Sequence, residues 1–185
     1  MRVSIAYSKG RLEVDLPADA NVRVVEPSFV EGLADEQAAV RQAVLNPIAS
    51  KSLAELVSPG DKVGIIFSDI SRPTPYPVIL PPVLEVIESV KDVEIVLFNA
   101  TGTHRSNTQK ELESILGTEI ASRYRIVQND CTDAESHRVV GTTSTGNEIA
   151  ILSEFLDCDV RIPTGFIEPH FFAGFSGGGK AVVPG

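Results

Sequence analysis

The sequence predicts an α/β fold, a three-layer α/β/α sandwich with a largely parallel sheet and an N-terminal β-hairpin, and three observations predict it. Short β-branched runs bounded by turn residues recur at "KVGIIFSD" (62–69), "VEIVLFNATGTH" (93–104), "YRIVQND" (124–130) and "CDVRIPTG" (158–165). Helix-forming stretches lie between several of them, the pattern of parallel strands joined by crossovers. Residues 3–15, "VSIAYSKGRLEVD", alternate apolar and polar on either side of Lys9-Gly10, which signals an antiparallel hairpin with glycine at its turn.

The other elements follow in chain order. "LADEQAAVRQAVLNP" sets Leu33, Ala38, Val40, Ala43 and Val44 among good helix formers and stops at Pro47, predicting a helix of about three to four turns. "GTTSTGNEIAI" reads as a second small hairpin. No internal repeat, linker or low-complexity tract interrupts the chain, so one domain over residues 1–185 is expected.

Composition narrows the function classes. With 43% hydrophobic and 22% charged residues the profile is that of an ordinary globular chain. Sixteen basic against 25 acidic residues give a net charge of -9, which repels phosphate backbones and anionic membrane surfaces. Nucleic acid and membrane are excluded as expected partners. The apolar runs are strand-sized, and "MRVSIAYSKG" has no signal-peptide core, so a cytoplasmic location is expected. Cys131 and Cys158 fit no paired spacing and read as free thiols.

The polar residues gather on one rim. Asp69 and Arg72 lie in "SDISRPTP" after the strand at 62–68, His104 in "NATGTHR" after the strand at 93–98, and His170 after the strand at 158–162. In open α/β sheets, ligands bind at the carboxyl ends of the strands, where loops converge. The third histidine, His137 in "ESHRVVG", reads as a solvent-exposed side chain. The terminal "GFIEPHFFAGFSGGGKAVVPG" surrounds Lys180 with six glycines, as where backbone takes φ > 0 or something lies against it.

Each residue also has a structural reading. His104 could cap the helix at "SNTQKELESIL", Asp69 could cap the helix after "TPYPVI", and Arg72 could brace a proline-rich turn. His170 could pack among Phe166, Phe171 and Phe172, and Lys180 could be a solvated loop lysine. "GFSGGGK" (174–180) fits the G-x-x-x-x-G-K pattern of a phosphate-binding P-loop, but Ala181 stands where Ser or Thr would hold Mg²⁺. A nucleotide-binding module and a structural domain without activity of its own are the alternatives to an enzyme.

"SDISRPTP", "GTHR" and "GFIEPHFFAGFSGGGKAVVPG", with "YSKGRLEVDLP" and "NPI", resemble the N-terminal domain of the nickel-pincer lactate racemase family. The resemblance implies a 2-hydroxy-acid racemase or epimerase working by reversible hydride transfer. It implies a nickel pincer nucleotide tethered at Lys180, with His104 and His170 as the two acid/base groups. Asp69, Arg72, Gly177 and Gly178 would face cofactor or substrate, and cofactor-biosynthesis proteins would be partners. Where family chains read Gly-Gly-Arg-Lys, this one reads Gly-Gly-Gly-Lys, so a positive charge expected beside the cofactor is missing. The family's nickel-ligating histidine and its second, C-terminal domain would lie beyond Gly185, so the 185-residue fragment alone is expected to be inactive and to bind no nickel tightly.

The implied chemistry agrees with the residue types. Inverting a carbon that bears hydrogen, hydroxyl and carboxylate calls for a base at each face and a cation for the carboxylate. Histidine, whose ordinary pKa is about 6.5, serves as acid or base near neutrality, and the planar fork of arginine suits a carboxylate or phosphate.

Overall fold

In a computed structural model the structure describes residues 1–26, 28–171 and 173–183. They form two compact units, Met1–Gly32 and Leu33–Gly185. No helix among the described residues is long and apolar enough to cross a membrane.

The first unit is the expected hairpin. Strands β1 (Arg2–Tyr7) and β2 (Gly10–Asp15) pair antiparallel, with Tyr7 opposite Gly10. That register makes Ser8 and Lys9 the turn, and Ser8 takes the positive φ, 52°. Glycine therefore opens β2 instead of forming the turn. A two-residue hairpin turn needs φ > 0 to match the strand twist, and Ser8 supplies it. Arg2 closes the ladder with two hydrogen bonds of 2.8 Å to the Asp15 carboxylate.

The second unit begins with helix α1 (Glu36–Leu45), about three turns long. Its N-cap Asp35 accepts from the Ala38 amide at 2.9 Å, which satisfies one of the orphan donors of the first turn. There follow α2 (Leu53–Leu56), β3 (Lys62–Ser68), α3 (Tyr76–Glu88), β4 (Glu94–Ala100), α4 (Gln109–Leu116), α5 (Thr118–Arg123) and β5 (Arg125–Gln128). The hairpin β6 (His137–Thr142) and β7 (Glu148–Leu152), helix α6 (Ser153–Leu156), β8 (Val160–Pro163) and the two-residue strands β9 (Pro169–His170) and β10 (Gly174–Phe175) complete it. A 3₁₀ turn, Gly178–Ala181, comes last.

Four strands make one parallel sheet in the order β5-β4-β3-β8. Side chains alternate across it. Val63, Ile65 and Phe67 of β3 and Leu97 of β4 face the helices, where they meet Leu80, Ile87 and Leu116, with Val40, Val44 and Leu53 of α1 and α2 packed alongside. Ile66, Val96 and Phe98 face the other way onto Phe155 of α6, Cys158, Ile151 and Ala181. The α/β class, the parallel sheet and the N-terminal hairpin are as the sequence predicts. The second covering layer is not a layer of helices. It consists of the β6–β7 hairpin, the single turn of α6 and the last 3₁₀ turn.

Gly64 sits where this second layer touches the sheet most closely. A Cβ there would lie 2.8 Å from Cys158 Sγ, 3.0 Å from the Phe98 ring and 3.2 Å from the Phe155 ring. Gly64→Ala should therefore destabilise the unit by about 1–3 kcal/mol, as overpacking does. The thermal midpoint should fall by about 2–4 °C per kcal/mol. Adding Cys158→Ala should recover part of that loss, although alone it opens a cavity. Simple additivity of the two losses in a melting experiment would contradict the contact.

Candidate functional site

The sheet order reverses beside β3. The chain steps from β3 to β4 to β5 in one direction, then returns past β3 to lay β8 on its far edge. The loops leaving β3 and β8 therefore diverge, and such a switch point opens a crevice at the carboxyl edge. Thr164, just past β8, fixes one wall by donating from both its amide (3.0 Å) and its hydroxyl (2.6 Å) to the Ile66 carbonyl. The buried Tyr76 fixes the other. Its hydroxyl accepts from the Ser68 amide at 2.6 Å and ties the start of α3 to the end of β3. The loop between them is held closed.

The crevice is a cavity of about 250 Å³ lined by Asp69, Arg72, His104, His170, Gly177 and Lys180, among others. Gly178 lies outside it, on an adjoining open groove that Lys180 also lines. Asp69, only 6% exposed, is satisfied on both oxygens. One accepts from Ser71 Oγ at 2.6 Å and the other lies 2.7 Å from His104 Nδ1. A carboxylate here holds the His104 proton on Nδ1 and leaves Nε2 with its lone pair exposed. His104 does not cap α4. Thr108 does, in a capping box with Glu111. Nor does Asp69 cap α3, whose N-cap is Pro75.

His170 is held in the opposite way. The Ala173 amide donates to its Nδ1 at 3.3 Å, so the neutral ring carries its proton on Nε2. Burial, then the charges of Lys180 and Arg72, hold its pKa below the ordinary imidazole value, with Glu168 opposing them. Of the phenylalanines considered as its neighbours, Phe171 is fully exposed and Phe166 lines the same cavity as His170. Phe172 lies outside the described residues.

Arg72 donates from Nη1 to Glu168 Oε1 at 3.1 Å, bridging the β3 and β8 loops. Glu168 is itself pinned. Its amide donates to Ser176 Oγ (3.1 Å), and its carbonyl accepts from the Ser176 amide (2.9 Å). Buried Ser176 also donates to the Phe166 carbonyl at 2.5 Å, folding the 166–176 loop back on itself beside the β9–β10 ribbon. Sequence reasoning missed both residues. Glu168 is the one acid in the terminal stretch "GFIEPHFFAGFSGGGKAVVPG", a usable signal, whereas nothing marks Ser176.

The glycines around Lys180 have specific causes. Gly177 takes φ 72°, and a Cβ there would meet the Phe166 carbonyl oxygen at 3.2 Å. Gly178 also takes a positive φ, 54°. The motif also fails to spring from a strand of the parallel sheet as a P-loop does, because β8 ends at Pro163 and the motif begins only at Gly174. Half-buried Lys180 makes no side-chain hydrogen bond or ion pair among the described residues, which leaves its amine available as a tether. These residues fit a lysine-bound, anionic cofactor on the donor chemistry of Lys180 and Arg72. Among the described residues no group of three or more His, Cys, Asp or Glu side chains is placed to hold a metal ion.

His137 departs from expectation. It is half-buried, with Nδ1 against Asp133 O (2.8 Å) and Nε2 against Asn129 Oδ1 (2.9 Å), and it lines a second cavity. The free thiols are as expected, Cys131 exposed and Cys158 buried, with burial pushing the Cys158 thiol pKa up.

The electrostatics of His170 can be tested by titrating its imidazole signals in a nuclear magnetic resonance spectrum. Its midpoint should fall below the ordinary value of about 6.5. Lys180→Met should raise it and Glu168→Gln should lower it further. Because the folded-state pKa is depressed, protonation opposes folding. The group's contribution to stability is present above the ordinary imidazole pKa and is lost as pH falls through that value toward the folded one. A midpoint that ignores both substitutions would contradict the arrangement.

Comparison with known proteins places this geometry. The family model for the lactate racemase N-terminal domain matches residues 7–185. The lactate racemase of Thermoanaerobacterium thermosaccharolyticum is 34% identical over 187 residues and that of Lactiplantibacillus plantarum 36% over 186, each alignment covering 99% of this chain. The chain spans 44% of the length of each of these relatives. The solved lactate racemase apoprotein from Thermoanaerobacterium thermosaccharolyticum superposes with a TM-score of 0.84 at 32% identity, covering 100% of this chain and 43% of that one. A Thermotoga maritima protein shares the fold with a TM-score of 0.63 at 23% identity, over 85% of this chain and 40% of that one. By its match along nearly the whole sequence and its superposition on a solved racemase, the chain belongs to the lactate racemase N-terminal domain family.

Proposed function

We propose that residues 1–185 are the cofactor-tethering catalytic half of a cytoplasmic two-domain isomerase that racemises or epimerises small 2-hydroxy acids. One observation carries the reading: Asp69-backed His104, His170, Arg72 and Lys180 line a single cavity at the switch point of the sheet. A second, C-terminal domain would complete that cavity, and cofactor-biosynthesis proteins would load Lys180.

The reaction is redox-neutral. The substrate carbon gives up hydride and its hydroxyl gives up a proton, leaving a flat 2-oxo acid, and both return with the hydride on the opposite face. A nickel pincer nucleotide tethered at Lys180 would supply reversible acceptance of that hydride. Everything else falls to the chain's own groups. Arg72, with one nitrogen held by Glu168, turns its remaining donors toward the substrate carboxylate or the cofactor phosphate. His104 takes the hydroxyl proton on Nε2, and Asp69 stabilises the imidazolium that results. His170, which rests with its proton on Nε2, offers that N–H as a hydrogen bond to the substrate oxygen from the other loop. Forming the other enantiomer passes the proton released by His104 through water to His170 Nδ1, and the resulting imidazolium gives its Nε2 proton to the substrate oxygen as hydride returns; the reverse reaction runs the same steps backwards, with His170 Nε2 as the base.

The test uses the cofactor-loaded racemase that contains this domain. His104→Ala and His170→Ala should each lower racemisation by about 10²–10⁴-fold, the usual contribution of a general acid or base. In single-turnover mixing with pure enantiomers, the two variants should form the 2-oxo acid from opposite enantiomers. Lys180→Ala should abolish both half-reactions and show no cofactor mass on the protein. Equal half-reaction rates for both enantiomers in both histidine variants would contradict the two-base assignment. A fully active Lys180→Ala would contradict the tether.

A further inference from the structure

His104 rides on an arm with little packing of its own. Residues 101–107 join β4 to Thr108, the N-cap of α4, and of these Thr101 and Asn107 are buried while Thr103, His104, Arg105 and Ser106 are exposed. The path of the exposed middle is therefore set at its two buried ends. Arg105 does fork onto Glu111 at 2.8 and 2.7 Å, but its side chain is 67% exposed, and an ion pair in water holds little.

Both ends are fastened at the end of β5. At entry the Thr101 hydroxyl donates to the Asn129 carbonyl at 2.6 Å, and the Thr101 carbonyl accepts from the His104 amide at 2.9 Å, closing the turn that presents the ring. At exit a side chain stands in for a strand. Gln128 Oε1 accepts from the Asn107 amide at 2.6 Å, and Gln128 Nε2 donates to the Asn107 carbonyl at 3.0 Å. A carboxamide carries side by side the acceptor and the donor that one residue's backbone needs. Asn99, opposite Gln128 in the β4–β5 register, donates from Nδ2 to the same Oε1 at 3.1 Å. Two donors on the oxygen and a carbonyl on the nitrogen admit a single orientation of the Gln128 amide. The cluster is not tuned for stability alone, since buried Asn99 Oδ1 and Asn107 Nδ2 find no hydrogen-bond partner among the described residues. Departures of that kind collect around functional sites.

We infer that Gln128 is a positioning residue of the racemase, which acts by holding the arm so that His104 Nε2 faces the reacting hydroxyl. This rests on the racemase reading, which makes His104 a base. Gln128 itself lies outside the cavity, whose lining reaches the arm only at residues 101–104. Asp69 orients the ring, whereas Gln128 fixes where the arm places it. Because Arg72, His170 and Lys180 come from other loops, loss of Gln128 displaces one base and leaves the rest of the cavity standing.

The experiment uses the cofactor-loaded racemase that contains this domain. Gln128→Met roughly keeps the length of the side chain and removes both bonds to Asn107. It should lower kcat by about 10–10²-fold, the scale of a misplaced catalytic group, with KM for lactate unchanged within about twofold. In single-turnover mixing it should slow the half-reaction of the enantiomer that His104→Ala loses and spare the other. Gln128→Glu keeps the acceptor and loses the donor, and its loss should be intermediate and on the same enantiomer. Amide spectra check that each variant folds, and if Gln128→Met does not, Gln128→Glu decides by the same criterion. Unfolding of both would make Gln128 a stability residue and overturn the inference. A folded variant that slows both enantiomers equally, or neither, while His104→Ala still separates them, would overturn the positioning role and leave the racemase reading standing. If His104→Ala itself shows no preference, the two-base reading fails and the inference with it.

Discussion

The pairing of β8 with the free edge of β3 is the constraint on which the site depends. Had β8 extended the series beyond β5, the loops bearing Asp69 and His170 would leave the sheet three strand positions apart. Its placement beside β3 sets the two loops on either side of one crevice, and Thr164 locks the junction through two donors to one carbonyl. Arg72 then reaches Glu168 across 96 residues of sequence and His104 reaches Asp69 across 35. Both contacts are consequences of strand order, with no local signal in the chain.

Charge in the cavity is arranged as much by what is paired as by what is present. A buried carboxylate is tolerated at Asp69 because both oxygens accept hydrogen bonds. The same bond selects which nitrogen of His104 faces the cavity. Across from it a backbone amide makes the opposite choice for His170, and burial, then two neighbouring cations, weaken that ring as a base. Two chemically identical side chains thus present a lone pair and a proton to one space. Glu168 moderates the difference, since it holds Arg72 and also opposes the depression of His170.

Much of the scaffold was legible in the sequence. The β-branched runs read at 62–69 and 93–104 hold the two central strands, and the rule that ligands bind at carboxyl edges put Asp69, Arg72, His104 and His170 on one rim. The strand order was not legible, because an apolar run records burial without naming its neighbour. The thin second layer was missed for a related reason: "SEFL" yields only one turn, and the hairpin at 137–152 covers sheet that a helix was expected to cover. His137 looked exposed among polar neighbours, yet those neighbours, Asn129 and Asp133, are what satisfy it in a half-buried position. Ser176 gave no warning at all, since its importance lies in three backbone contacts with its own loop.

The opposite protonation of the two rings is the central claim, and the ring nitrogen shifts of ¹⁵N-labelled protein, recorded well above the imidazole pKa range, test it most directly. Neutral His104 should carry its proton on Nδ1 and neutral His170 on Nε2, and Asp69→Asn should disturb the first and spare the second. If both rings show the same tautomer, or His104 carries its proton on Nε2, the account of how this cavity moves protons is wrong.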